Sequence, residues 1–215
     1  MAASPCSVVV LISGNGSNLQ ALIDASDSGQ YAIKGVISNK ADAYGLQRAA
    51  NANIPADVID HKLFADRESF DAALAEKIDS YEPDLVVLAG FMRILSAGFV
   101  QHYSGRILNI HPSLLPNYRG TNTHQRVLDA GEKQHGVSVH FVTEELDGGP
   151  VVLQAVVDIQ DGDNADELAK RVAQQEHIIY PKAVTWFAAK RLSTKGNIAF
   201  LDGNKLDASG VREFA

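Results

Sequence analysis

Residues 7–12 read SVVVLI, a β-branched run with no internal breaker. Such a run is expected to form a strand buried on both faces. The turn Ser13-Gly14-Asn15-Gly16-Ser17-Asn18 follows at once, and apolar Leu19, Leu22 and Ile23 then recur at helical spacing up to Ala25. A strand, a glycine-rich turn and a helix in that order open a doubly wound parallel sheet.

The alternation continues down the chain. Strands are predicted at 33–38 and 56–59, with a short helix at 44–51 between them. The stretch 67–81 predicts a helix with Phe70, Leu74 and Ile78 on one stripe, stopped by Pro83. Residues 85–89, LVVLA, form the most apolar strand and belong at the centre of the sheet. Further strands are predicted at 107–110, 137–142 and 150–157, with helices at 125–130 and 165–189, the last interrupted near Pro181. The final segment, 192–215, is polar and broken by glycines, and reads as a small hairpin or tail on the domain edge, outside the chemistry. A chain of 215 residues fits one large α/β domain with a mostly parallel central sheet and helices on both faces. Neither internal repeats nor linkers break it.

Several classes drop out on composition. Hydrophobic residues make up 46% and charged residues 21%, the balance of a soluble protein with a full core. No apolar run approaches the ~20 residues that span a bilayer, and the N-terminus lacks a signal peptide's basic region and apolar core. The single cysteine, Cys6, cannot form an internal disulfide and sits outside any nucleophile motif, so a cytoplasmic protein is expected. Net charge is -7 with no cluster of Lys or Arg, which disfavours nucleic acid. His102, His111, His124, His135 and His140 show no metal-binding spacing, and there is no paired-thiol motif, so no metal is expected. The nucleophile elbow of serine hydrolases is missing too.

Two segments carry chemistry. The glycine turn before the first helix presents backbone amides uncrowded by Cβ atoms, a ready anion site. It has neither the third glycine of a dinucleotide fingerprint nor a P-loop lysine, so a monophosphate suits it better than NAD or ATP. The same residues also suit a plain tight turn. The second segment is Asn109-Ile110-His111-Pro112. Alternation in a strand puts Asn109 and His111 on one face, and Pro112 ends the pairing there. At the carboxyl end of a strand in an open α/β sheet this is a ligand-binding position. An amide donor beside an imidazole suits acyl transfer, with Asn stabilising an oxyanion and His moving a proton; satisfying buried backbone groups is the alternative. By itself the loop Glu144-Glu145-Leu146-Asp147-Gly148-Gly149-Pro150 reads as an acidic hairpin turn.

Four motifs in order, Ser13-Gly14-Asn15-Gly16-Ser17-Asn18, Phe91-Met92-Arg93-Ile94-Leu95, Asn109-Ile110-His111-Pro112-Ser113-Leu114-Leu115-Pro116 and Leu146-Asp147-Gly148-Gly149-Pro150, closely resemble the folate-dependent phosphoribosylglycinamide formyltransferase family of purine synthesis. The likeness covers residues 8–189. It implies a single Rossmann-like formyltransferase domain over 1–190 with the hairpin or tail, 191–215, packed on it. It also implies formyl transfer from 10-formyltetrahydrofolate to the amine of 5'-phosphoribosylglycinamide, with no metal. By the same likeness Asn109, His111 and Asp147 form the catalytic trio, and Gly16, Ser17 and Asn18 hold the ribotide phosphate. Glu176 holds the ribose hydroxyls. Arg67 and the segment Met92, Arg93, Ile94 and Leu95 contact folate, as do Asn109, Glu144 and Asp147, the loop 144–147 closing the other side of the folate pocket. The chain departs from the family at Asn122, where many members carry a histidine, and at Ala173, where a polar residue facing the ribotide is expected. Related enzymes that formylate tRNA or hydrolyse formyl-folate fit less well, because the tail after Ala189 leaves no room for a basic RNA-binding domain and the first strand begins too early for a regulatory one. A catalytically silent module need not keep the whole trio. The small-molecule substrates leave room for a homodimer.

Overall fold

The computed structural model describes residues 4–215. It comprises two compact units, the first ending at Leu108 and the second running from Asn109 to Ala215. In the first unit β1 (Cys6–Ile12) leads into α1 (Ser17–Ser26), β2 (Tyr31–Ser38), α2 (Gly45–Asn51) and β3 (Ala56–Val58). Then come α3 (Arg67–Asp79), β4 (Leu85–Leu88) and α4 (Ala97–His102). β1 pairs in parallel with both β2 and β4, and β2 pairs in parallel with β3. With a neighbour on each edge, β1 needs apolar side chains on both faces, and Val8, Val9 and Val10 are all fully buried.

β5 (Ile107–His111) carries the chain into the second unit, where α5 (Thr123–Asp129), β6 (Gln134–Phe141), β7 (Val151–Asp158) and α6 (Ala165–Ala188) follow. The tail adds β8 (Leu192–Lys195), β9 (Ile198–Leu201), β10 (Asn204–Lys205) and β11 (Val211–Phe214). β6 and β7 form an antiparallel hairpin, β8, β9 and β10 a small antiparallel sheet, and β11 lies parallel to β7. The α/β class, the mostly parallel pairing and the C-terminal hairpin agree with the sequence reading. Among the described residues no helix is long and apolar enough to cross a membrane.

The structure corrects that reading at Pro181. The expected interruption does not occur, and α6 runs unbroken through the proline. Proline inside a helix costs about 3 kcal/mol or more through its missing N–H and ring clash. Leu168, Val172, Ile179, Tyr180 and Val184 are all buried on this helix, each contributing roughly 1.5–3 kcal/mol, so packing outweighs the local penalty. A capping box at Asn164 and Glu167 fixes the start. Two short elements also exceed what periodicity shows. The six-residue α4 depends on Ser96 as N-cap and on burial of Phe99 and Val100. The edge strand β11 has only four residues, and it forms by pairing with β7.

The turn that follows β5 is held by a buried polar ladder. Ser138 on β6 stands opposite Gln154 on β7, which stands opposite Arg212 on β11. Ser138 Oγ donates to the Ser113 carbonyl at 2.6 Å and accepts from the Leu115 N–H at 3.0 Å. Gln154 Nε2 donates to the Leu115 carbonyl at 2.8 Å and to Ser138 Oγ at 3.0 Å, while its Oε1 accepts from Arg212 Nε at 3.1 Å. Every polar atom of Gln154 is used, so a leucine there takes the donor from the Leu115 carbonyl and the acceptor from Arg212. Gln154→Leu is expected to lower unfolding free energy by about 1–3 kcal/mol, measured by urea titration; unchanged stability would remove the ladder from the forces holding this turn.

Candidate active site

In the first unit the glycine turn is built by close backbone approach. Gly16 caps α1 in the left-handed region, φ 74, and a Cβ there would lie 2.7 Å from the Gly45 Cα. Only glycine fits both demands. α2 braces the turn from the side: the Gly45 N–H donates to the Gly14 carbonyl at 3.0 Å, and Arg48 donates to the Asn15 carbonyl at 2.9 Å and to Asn15 Oδ1 at 3.0 Å. No side chain caps the helix, and its first turn holds no acidic residue, which leaves the dipole's positive end for an anion. Ser17 is exposed in that first turn and Asn18 is buried.

The segment after β4 lies against the start of α3. Arg93 stacks over the Phe70 ring at 5.7 Å, and the Ser96 N–H donates to Asp71 at 2.5 Å. Arg67, at the first position of α3, is exposed, and so are Met92 and Ile94, with Leu95 half-buried. The Met92 N–H is engaged by Ser13 Oγ at 2.8 Å, and Ser13 in turn donates to Asn39. Arg67 and residues 92–95 thus flank one helix start.

In the second unit the trio converges. Asn109 and His111 share a face of β5, as alternation requires. His111 Nδ1 lies 3.5 Å from Asp147 Oδ2, with both side chains almost wholly buried. The other ring nitrogen, Nε2, donates to the Tyr118 carbonyl at 3.0 Å. Both nitrogens therefore face oxygen acceptors. Asp147 takes φ 49, a left-handed conformation that Asp tolerates, and its Oδ2 accepts the Gly120 N–H at 2.9 Å. Two residues on, a Cβ at Gly149 would lie 1.8 Å from the Phe141 carbonyl, so the hairpin can close only on glycine. Glu144 is exposed on this loop, Glu145 forms an ion pair with Arg119, and Glu176 is half-buried in the middle of α6.

Of the four further imidazoles in this unit, His124, His135 and His140 are electrostatically linked to His111. His140, wholly buried on β6, lies 3.9 Å from Asp147 Oδ1 and bonds Asn109 Nδ2 at 3.1 Å. His124 and His135 share a hydrogen bond of 3.0 Å with their rings edge to face. Burial disfavours the charged form of all three, and the His111 charge acts in the same direction.

The Formyl transferase family model matches residues 6–184 of this chain. The chain is also 55% identical over 205 residues to the phosphoribosylglycinamide formyltransferase of Escherichia coli (strain K12), covering 94% of this chain and 97% of that protein. The chain belongs to the formyl transferase family. This formyltransferase is 46% identical over 200 residues to the trifunctional purine biosynthetic protein adenosine-3 of Homo sapiens, of whose length it spans 20%. A solved phosphoribosylglycinamide formyltransferase from Coxiella burnetii superposes with a TM-score of 0.93 at 55% identity, covering 97% of this chain and 99% of that one.

The sequence reading of the formyltransferase missed His140, Arg48 and the Gly120 N–H. His140 is visible in the sequence as the one titratable residue within the run 137–142, but its partner is not. Asn122 takes φ 56 as the N-cap of α5, a left-handed conformation that asparagine tolerates.

Acid stability follows from the His124–His135 pair. Burial, then His124 and His111, push the His135 pKa from 6.5 down to about 4. Between those values the unfolded chain binds a proton that the folded one refuses, so stability falls as pH drops through 6.5 and the loss is complete below about 4. This group contributes a slope of about 1.4 kcal/mol per pH unit in that window. The H135Q variant is expected to show a shallower decline of unfolding free energy from pH 6.5 to 4; identical slopes would mean His135 is not held neutral.

Proposed function

We propose that this formyltransferase moves the formyl group of 10-formyltetrahydrofolate to the amine of 5'-phosphoribosylglycinamide. The observation that carries the reading is the convergence of Asn109, His111 and Asp147 at the end of β5, with the imidazole between a carbonyl and a carboxylate. The names of the Escherichia coli and Coxiella burnetii relatives supply the ribotide. The uncapped N-terminus of α1 supplies a seat for its phosphate, with the Gly16 backbone, Ser17 and Asn18 as donors. Glu176 would accept the ribose hydroxyls. Arg67, the backbone of residues 92–95 and the loop carrying Glu144 and Asp147 would receive folate, the Met92 N–H being committed to Ser13 and its carbonyl remaining for the ligand.

The substrate amine attacks the formyl carbon, and the carbonyl electrons move to oxygen. The Asn109 amide and protonated His111 stabilise that oxyanion. As the tetrahedral intermediate collapses, the bond from carbon to the folate nitrogen breaks, the nitrogen takes a proton from His111, and the neutral imidazole recovers one from the substrate amine. Asp147 holds the imidazole and favours its charged form, while its own position is fixed by the Gly120 N–H. Positioning and electrostatics supply the rate, and the chemistry needs no covalent enzyme intermediate.

His111→Ala is expected to keep the fold and lower turnover about 10²–10⁴-fold, read by absorbance of the folate product. Asp147→Asn retains the acceptor for Gly120 and should lose a smaller factor. The decisive comparison is folate release with and without the ribotide. Release that ignores the ribotide would make the protein a hydrolase, and no release in either case would make it silent.

A further inference from the structure

His140 sits where the β6–β7 ladder slips register: Val139 faces Leu153, but His140 faces Val151. The extra residue of the slip is Val152 on β7, so β6 keeps its alternation and His140 stays on the face of Ser138. The ring is wholly buried, and its Nδ1 lies 2.9 Å from the Phe141 carbonyl. A carbonyl only accepts, so Nδ1 carries the hydrogen and donates it. A neutral ring of that tautomer has a bare Nε2, which can only accept, and this atom lies 3.1 Å from the Asn109 side-chain amide.

An asparagine amide is nearly symmetric in shape but opposite in polarity at its two ends. A flip costs little in packing, yet it replaces a donor with a carbonyl oxygen at the reacting centre. We propose that His140 is a positioning residue that selects the amide orientation of Asn109, accepting one of its N–H groups so that the other faces the oxyanion. The inference rests on the oxyanion role proposed above for Asn109.

The selection works only while His140 is neutral, because a protonated Nε2 would demand the oxygen end of Asn109. Burial, aided by the charges of His111 and Arg119, opposes protonation, while the Phe141 carbonyl and Asp147 favour it; burial is the largest of these. The same β6 strand thus places Ser138 under the turn after His111 and His140 under Asn109, two residues apart on one face.

The test is a double-mutant cycle on kcat. H140L is expected to lower kcat roughly 10- to 100-fold with KM for both substrates little changed, below the ~10²–10³-fold cost of losing an oxyanion donor outright. The N109A/H140L double variant should be no slower than N109A, and H140Q, whose amide can still offer an acceptor to Asn109, should recover most of the turnover. Additive losses in the double variant would overturn the inference and leave the proposed reaction standing. Full turnover in N109A would instead remove the role of Asn109 itself, and this inference with it. Should H140L fail to fold, nitrogen NMR of the wild-type imidazoles decides: a bare Nε2 with protonated Nδ1 at neutral pH supports the assignment, and a protonated Nε2 overturns it.

Discussion

Burying the Asp147 carboxylate is expensive, since a charged group out of water costs several kcal/mol unless partners replace its hydration. The chain meets that demand with a backbone N–H from Gly120 and the His111 imidazole at 3.5 Å. Each partner imposes a condition on the fold. The loop must turn through a left-handed residue at Asp147, and Gly149 must pass against the Phe141 carbonyl too closely for any side chain. β5 must end where His111 can reach both the carboxylate and the Tyr118 carbonyl. A loop that reads as an ordinary acidic turn is therefore among the most constrained segments of the second unit.

The two units carry different kinds of chemistry. The first offers backbone dipoles: a helix start with no side-chain cap, held open by two glycines in contact and braced by Arg48. Such a site binds charge without titrating, which suits a group that must be held and not transformed. The second unit offers titratable side chains whose neighbours differ in polarity, which suits proton movement. Neither half needs the overall charge of the protein to be positive, which is how an acidic chain can take an anionic substrate.

Local rules made the first half readable. Strand, glycine turn and helix follow from side-chain period and backbone permissiveness, and both act over a few residues. The shared face of Asn109 and His111 follows from the same period, and the trio's third member needed the family likeness because Asp147 lies on a different hairpin. What stayed hidden depends on distant residues. Pro181 is tolerated because Ile179, Tyr180 and Val184 are buried around it, β11 forms because β7 has an open edge to pair with, and Arg48 matters because α2 lies against the glycine turn. His140 was in view as a residue and invisible as a partner, since its meaning lies in a tautomer fixed by the Phe141 carbonyl.

The imidazoles of the second unit differ in their surroundings. His135 and His140 are buried and His124 is half-buried, and burial disfavours the charged form of each. His111 differs because both of its nitrogens face oxygen acceptors. Asn122 places an uncharged residue with a left-handed backbone at the start of α5. The proposed proton movement then rests on His111 and its carboxylate, with the neutral His140 setting the donor beside it.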